Sequence, residues 1–254
     1  MNQDSESKAP LIEHLLELRQ RLMKSALAIL IAFLACYGVA EDIFAFLVHP
    51  LHEVMGPDAK MIFTGLHEAF FTYIKVAFLG GLFLALPVVF TQMWLFIAPG
   101  LYRHERNAIL PFLLVTPILF FSGGALVYVF IFPLAFKFFL GFETAGIEAL
   151  PSIREYLSLV IKLIFAFGIA FQLPVALLLM IKAGIISTQS LITKRKYNIV
   201  LAFMAAALLT PPDPMTQIFL AIPLLALYEI SIFGGRIIER NRQRREAAEE
   251  EVTP

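Results

Sequence analysis

The strongest constraint on this chain is the length of its apolar runs. A bilayer hydrocarbon core about 30 Å thick is crossed by a helix of roughly 20 apolar residues. Six runs stand out: Leu22–Ala40, Phe70–Ala98, Ala108–Phe136, Tyr156–Ile181, Tyr197–Thr210 and Met215–Phe233. Charged residues make up 16% of the chain and hydrophobic ones 59%, whereas a soluble domain carries about 25% charge. A water-soluble fold of this composition would leave large apolar patches exposed. The pattern predicts an all-α integral membrane protein with six transmembrane helices. The fifth run has only 14 residues and rises about 21 Å as a helix. The sixth contains Pro223, and the prolines of Thr210-Pro-Pro-Asp-Pro214 force a tight turn between the two. Runs five and six therefore read as a short hairpin that must thin the bilayer locally or sink into it.

Charge in the loops sets the orientation. With the N-terminus cytoplasmic, that side carries 15 Lys and Arg, and the opposite loops hold only Lys60, Lys137 and Arg154. This positive-inside bias places both termini in the cytoplasm, as an even number of spans requires. One membrane domain is expected over residues 1–238, followed by a charged tail over 239–254, read as a frayed helix or as disorder. The first run ends in Gly38-Val-Ala40, which resembles a signal-peptidase site. It exceeds the 7–15 residues of a signal h-region, and cleavage would leave five spans, so it is read as retained.

Enzyme chemistry finds no support. The chain has no GxxxxGK[ST] loop for ATP phosphates, no HExxH and no GxSxG elbow. Its five histidines (His14, His49, His52, His67, His104) are scattered near membrane boundaries, so neither a metal site nor a cofactor is expected. Cys36 reads as a small core residue, and Gly80-Gly81 and Gly123-Gly124 as points of close helix packing. No internal repeat is apparent, which counts against an inverted-repeat transporter.

Polar residues in unusual places carry more information. From Leu11 to Leu22, the residues Leu11, Leu15, Leu18 and Leu22 share one helical face, while Glu13, Glu17, Arg21 and Lys24 follow another. Taken alone this is an interfacial helix with Glu17 and Arg21 as an i,i+4 pair. Glu105, in Leu101-Tyr-Arg-His-Glu-Arg106, is a second carboxylate on the same side, with Arg103 and Arg106 as alternative loop partners. Two juxtamembrane carboxylates suit a cationic ligand.

Four stretches are specific: His14-Leu-Leu-Glu-Leu-Arg-Gln-Arg21, Phe96-Ile-Ala-Pro-Gly-Leu-Tyr-Arg-His-Glu-Arg106, Phe132-Pro-Leu-Ala-Phe136 and Leu209-Thr-Pro-Pro-Asp213. Together they resemble the TatC family, the multi-spanning subunit of the bacterial twin-arginine protein translocase. The similarity runs from about Leu11 to Phe233 with the motifs in the family's order. It implies six spans, cytoplasmic termini and a concave helical scaffold in the inner membrane. It also implies a receptor for the twin-arginine signal peptides of folded cargo, assembling with the single-span subunits TatA and TatB and with further copies of itself, and powered by the proton gradient. Glu17, Arg19 and Glu105 stand at the family's signal-recognition positions. The physics agrees, because an arginine guanidinium meets a carboxylate through two parallel hydrogen bonds and lysine cannot.

The resemblance extends to Pro50 in the first outside loop, Pro87 and Phe96 in the second span, and Asp213 in the last outside turn, as scaffold-shaping or gating positions. Gln92, Thr210, Gln217 and Glu229 are polar groups in or beside spans two, five and six. Each contacts a partner helix or makes a bond within the chain, since polar groups in lipid require partners. Gln172 departs from those relatives that carry Glu there; it can orient a partner but cannot carry a proton. Lys75 and Lys162 lie inside the outer boundary and are expected to snorkel, with Glu68, seven residues before Lys75, as a conceivable partner. The competing class is a secondary transporter or channel for a small solute, which would work without partner proteins.

Overall fold

The computed structural model describes residues 8–56, 60–97, 106–142, 149–210 and 214–250. Helices dominate them: α1 (Lys8–Tyr37), α2 (Ala40–Met55), α3 (Glu68–Ile97), α4 (Arg106–Leu126), α5 (Phe132–Leu140), α6 (Ile153–Ala170), α7 (Leu173–Lys182), α8 (Thr188–Thr193), α9 (Arg195–Leu209) and α10 (Pro214–Glu250). Among the described residues, five helical segments are long and apolar enough to cross a membrane: His14–Tyr37, Glu68–Phe96, Leu113–Leu140, Ile153–Lys182 and Pro214–Arg244. The fifth apolar run of the sequence forms α9, whose 15 residues rise about 22 Å. The chain divides into two compact units, one built from Met1–His49, Ala59–Pro117 and Leu150–Leu157, the other from Pro50–Asp58, Ile118–Ala149 and Ser158–Pro254.

In the first unit, α1 lies against α3 at the glycine pair. A methyl group on Gly81 would sit 2.5 Å from the Cα of Phe33, so the two backbones meet there. One on Gly80 would meet the side chains of Ile43 and Cys36, at 2.9 and 3.2 Å. Cys36 is buried in this contact, the small core residue its position suggests. At the opening end of α3, the Glu68 carboxylate accepts the backbone N–H of Thr64 at 3.0 Å and its hydroxyl at 2.8 Å. Glu68 thus closes its own turn instead of reaching Lys75, which is exposed. Ile62 pairs with the segment preceding α6, its N–H donating to Pro151 and its carbonyl accepting from Ile153. Buried Tyr156 donates its hydroxyl to the Leu47 carbonyl at 2.6 Å.

The segment containing Pro50 is not a loop. It is helix α2, whose buried Ala40, Leu47, Val48 and Leu51 fall at helical spacing and whose first turn carries Glu41 and Asp42. Acidic groups at a helix N-terminus stabilise it through the macrodipole. Being only 16 residues long, this helix was hidden between longer apolar runs.

In the second unit, proline breaks two spans that read as continuous. Pro133 has no N–H to offer the Val129 carbonyl, and its ring would clash there. The chain responds with a π turn over Val127–Ile131, in which the Phe132 N–H bonds the Val127 carbonyl. Pro174 does the same to the Ala170 carbonyl, so the fourth span splits into α6 and α7 around Phe171 and Gln172. Close approach between α4 and α6 uses glycine on both sides. A methyl on Gly123 would lie 2.6 Å from the Phe167 carbonyl oxygen, and one on Gly168 would lie 2.6 Å from the Phe120 ring.

Helix α10 is 37 residues long. The sequence pattern begins a charged tail at Glu239, but the helix passes through that point to Glu250. As far as Glu239 the helix is held by a docked loop. After α7 the chain turns at Gly184, at φ +71°, where a side chain would be strained. Residues 183–193 then fold back on α10. Ile181, Leu191, Tyr228 and Ile232 form the core of this contact. Tyr228 donates its hydroxyl to the Leu191 carbonyl at 2.9 Å, and the Thr188 N–H donates to Glu239 at 2.9 Å. Tyr228→Phe should cost about 1 kcal/mol, one net buried hydrogen bond. The expected signature is faster amide exchange confined to residues 185–193, with the other helices unchanged; uniform exchange across the chain would contradict it.

Candidate functional site

The N-terminal helix brings a compact polar group to one end of the first unit. Glu17 and Arg21 are one helical turn apart, and Arg21 donates to Glu17 Oε1 from Nε at 2.9 Å and from a terminal nitrogen at 2.5 Å. Both donors land on one carboxylate oxygen. The other, Oε2, lies 3.9 Å from His14 Nδ1, beyond hydrogen-bond reach. A carboxylate offers about four lone-pair sites, so Glu17 retains capacity for further N–H donors. Its side chain is 34% accessible, which is open enough for a ligand to reach.

The imidazole of His14 stacks on Phe96, with ring centroids 4.3 Å apart and planes inclined by 17°. Thus the N-terminal motif and the Phe96 motif meet in space through His14 and Phe96. In the sequence His14 reads as one of several scattered histidines and Phe96 as a scaffold-shaping or gating position. The signal that unites them is that each opens one of the two motif stretches at the same membrane boundary. Arg19 is exposed on the same helix. Glu105 and Asp213 lie outside the described residues.

The remaining candidates are dispersed. Pro50 is buried inside α2. Pro87 lies inside α3, where the Thr91 hydroxyl donates to its carbonyl at 2.6 Å. Gln172 sits at the α6–α7 break, its amide 3.4 Å from the Gly168 carbonyl. Three of the polar span residues make bonds within the chain: Thr210 to the Ala206 carbonyl at 3.1 Å, Gln217 to the Phe203 carbonyl at 3.0 Å, and Glu229 to Arg195 at 2.6 Å. Gln92 differs, because its side-chain oxygen is buried with no hydrogen-bond partner among the described residues. Lys162 points at the carboxyl end of α9 and donates to the Leu208 carbonyl.

Comparison with known proteins gives this arrangement its context. Residues 13–223 match the family model described as Sec-independent protein translocase protein (TatC). The chain belongs to the TatC family. It is 71% identical to the Sec-independent protein translocase protein TatC of Magnetococcus marinus, over 98% of this chain and 92% of that one. Against the Escherichia coli K12 protein of the same name it is 41% identical, over 95% and 94% respectively. The fold matches a crystal structure of the twin-arginine translocase receptor TatC at a TM-score of 0.78 and 42% identity, covering 89% of this chain and 99% of that one. The family consists of translocase subunits, which are multi-pass membrane proteins and not enzymes.

Proposed function

We propose that this chain is the signal-peptide receptor and core scaffold of a twin-arginine translocase. In this reading it sits in the bacterial inner membrane with six spans, α9 being the short one, and both termini are cytoplasmic. Residues 1–238 form the membrane domain and 239–254 its charged cytoplasmic extension. It exports folded cargo with TatA, TatB and further copies of itself, using the proton gradient.

The observation that carries the reading is the Glu17 carboxylate, held by Arg21 through one oxygen while the other faces the His14–Phe96 stack. Arg21 fixes the carboxylate in place, and the open oxygen receives one guanidinium of the signal peptide. Glu105 receives the other, and Arg19 orders the same turn. The apolar part of the signal then follows onto the helical scaffold. Proton movement does not run through Gln172, which has no titrating group. The Gln92 oxygen is buried inside the chain with no hydrogen-bond partner among the described residues, so a partner-helix contact there requires its side chain to turn outward. Thr210, Gln217 and Glu229 would have to exchange internal bonds to take that role. Pro50, Pro87, Phe96 and Asp213 shape the scaffold around the path.

The test is photocrosslinking of signal peptide to the full chain in native-like membranes, with Arg-Arg and Lys-Lys peptides. Lys-Lys peptide, Glu17→Ala and Glu105→Ala should each reduce crosslinking about tenfold, the effect of losing one charge-assisted hydrogen bond worth about 1.5 kcal/mol. Equal crosslinking throughout, at unchanged protein level, would leave the family fold without this recognition site.

A further inference from the structure

Helix α10 carries arginines at 236, 240 and 244, four residues apart and all exposed. Residues at i, i+4 and i+8 align in one stripe along a helix, here about 12 Å long. On a solvated helix such arginines are usually balanced by carboxylates three or four positions away. This stripe has one such neighbour, Glu239, and its carboxylate is turned inward onto the Thr188 N–H. The place four residues beyond Arg244 is an alanine. Nearby, Glu229 is taken by Arg195, with exposed Lys194 and Lys196 on either side of that arginine. The inward face of the same helix is apolar and packed, with Ile232 buried and Gly235 against Ile181. The docked loop therefore takes Glu239, the one carboxylate three or four positions from the stripe, and leaves this exposed flank of the helix cationic.

From this we infer that the Arg236–Arg240–Arg244 stripe is a binding site for the phosphates of anionic phospholipids in the cytoplasmic leaflet. The inference rests on the orientation proposed above and is independent of signal-peptide capture. Two facts select a lipid over an acidic protein face. Arg236 is only three residues beyond Phe233, which ends the apolar run and is 67% exposed. The headgroup layer is about 6 Å deep; Arg236, about 4.5 Å beyond Phe233, falls within it, Arg240, about 10 Å beyond, reaches back by snorkelling, and Arg244, about 16 Å beyond, acts through the field of the anionic surface. The guanidinium fork also matches a phosphate diester through two hydrogen bonds. The contributions are graded, with Arg236 largest and Arg244 smallest.

The experiment uses the full chain reconstituted in phosphatidylcholine vesicles containing a minor fraction of spin-labelled phosphatidylglycerol or spin-labelled phosphatidylcholine. The immobilised fraction of each label reports selectivity at the protein surface. Wild type should prefer phosphatidylglycerol, and the preference should weaken in high salt, since exposed charge pairs are screened. Each Arg→Gln change should reduce it, up to about fivefold per residue, and R236Q/R240Q/R244Q should abolish it. R236K/R240K/R244K should restore most of it, because the field of charge persists. Protection of the Thr188 amide from exchange verifies that the docked loop is intact in each variant. Wild type without a preference, or a triple glutamine variant that keeps one, overturns the inference. In the first case, the stripe is left to an acidic protein partner.

Discussion

Gly81→Val should destabilise the chain by about 3 kcal/mol, at the top of the range for overpacking. The new Cβ would meet the Phe33 Cα at 2.5 Å and its backbone nitrogen at 2.6 Å. Backbone atoms of α1 cannot rotate away as a side chain can, so relief requires the helix to move. Since α1 packs chiefly on α3, moving it also shifts His14 from Phe96. Gly80→Ala supplies the intermediate case, because its nearest neighbour is the flexible tip of Ile43 at 2.9 Å. Gly38→Ala supplies the control, with nothing nearer than the Ala35 carbonyl oxygen at 3.6 Å. Denaturation in detergent should order them Gly81 worst, Gly80 next and Gly38 near wild type. A Gly81→Val protein as stable as wild type would mean that α1 and α3 do not meet at this crossing.

The same glycines show what can be read directly from the sequence. Paired small residues inside an apolar run have few explanations in a membrane protein, and close packing is the commonest. Gly80, Gly81 and Gly123 all serve it. Run length likewise located the five long helices, because bilayer thickness is a physical ruler that the sequence must match. Where that ruler does not apply, less was legible. Helix α2 carries Glu41, Asp42, His49, His52 and Glu53 among its 16 residues and is shorter than a span, so run length does not mark it and it reads as an outside loop around Pro50. A proline inside an apolar run tells that one hydrogen bond is lost but not how the chain recovers. Pro133 produces a π turn, Pro174 splits a span, and Pro223 lies inside α10 without ending it. The charged segment from Glu239 reads as a frayed helix or as disorder because the loop that docks at Glu239, over 183–193, is distant in sequence.

At the candidate site, the Glu17–Arg21 pair follows from helical spacing alone. The His14–Phe96 stack does not, since it depends on how α1 and α3 align along their length. The partners of the polar span residues depend on tertiary packing in the same way. A glutamine in lipid must be satisfied, but only the packing shows that Gln217 finds the Phe203 carbonyl while the Gln92 oxygen finds nothing among the described residues.

Lys162→Met should let hydrocarbon cover the carboxyl end of α9. Lys162 lies nine residues into α6, about 14 Å from its start, a depth at which a lone ammonium is expensive. Its partner is the Leu208 carbonyl, one of the last four of α9 that no helical N–H can satisfy, at the negative end of the helix dipole. At the other end of α9, Arg195 pairs with Glu229. Charged groups thus mark both ends of a helix only about 22 Å long, against a core of about 30 Å, so water or headgroups must come inward to meet them. A lysine held at mid-membrane depth is disfavoured by about 2.5–3.5 kcal/mol; removing it shifts the balance between a hydrated and a lipid-covered site by about a hundredfold. Leu208 is 75% exposed, so a Leu208→Cys substitution in a Cys36→Ala background reports that balance. With Lys162 present, the introduced thiol should react with a membrane-impermeant maleimide. With Lys162→Met it should be protected and collide instead with lipid-soluble oxygen, and Lys162→Arg should behave as wild type. Protection of the introduced thiol while Lys162 is intact would mean that the short helix lies under full-thickness lipid. The charge pairs at its ends would then be buried ones, and local thinning would have no part in the proposed function.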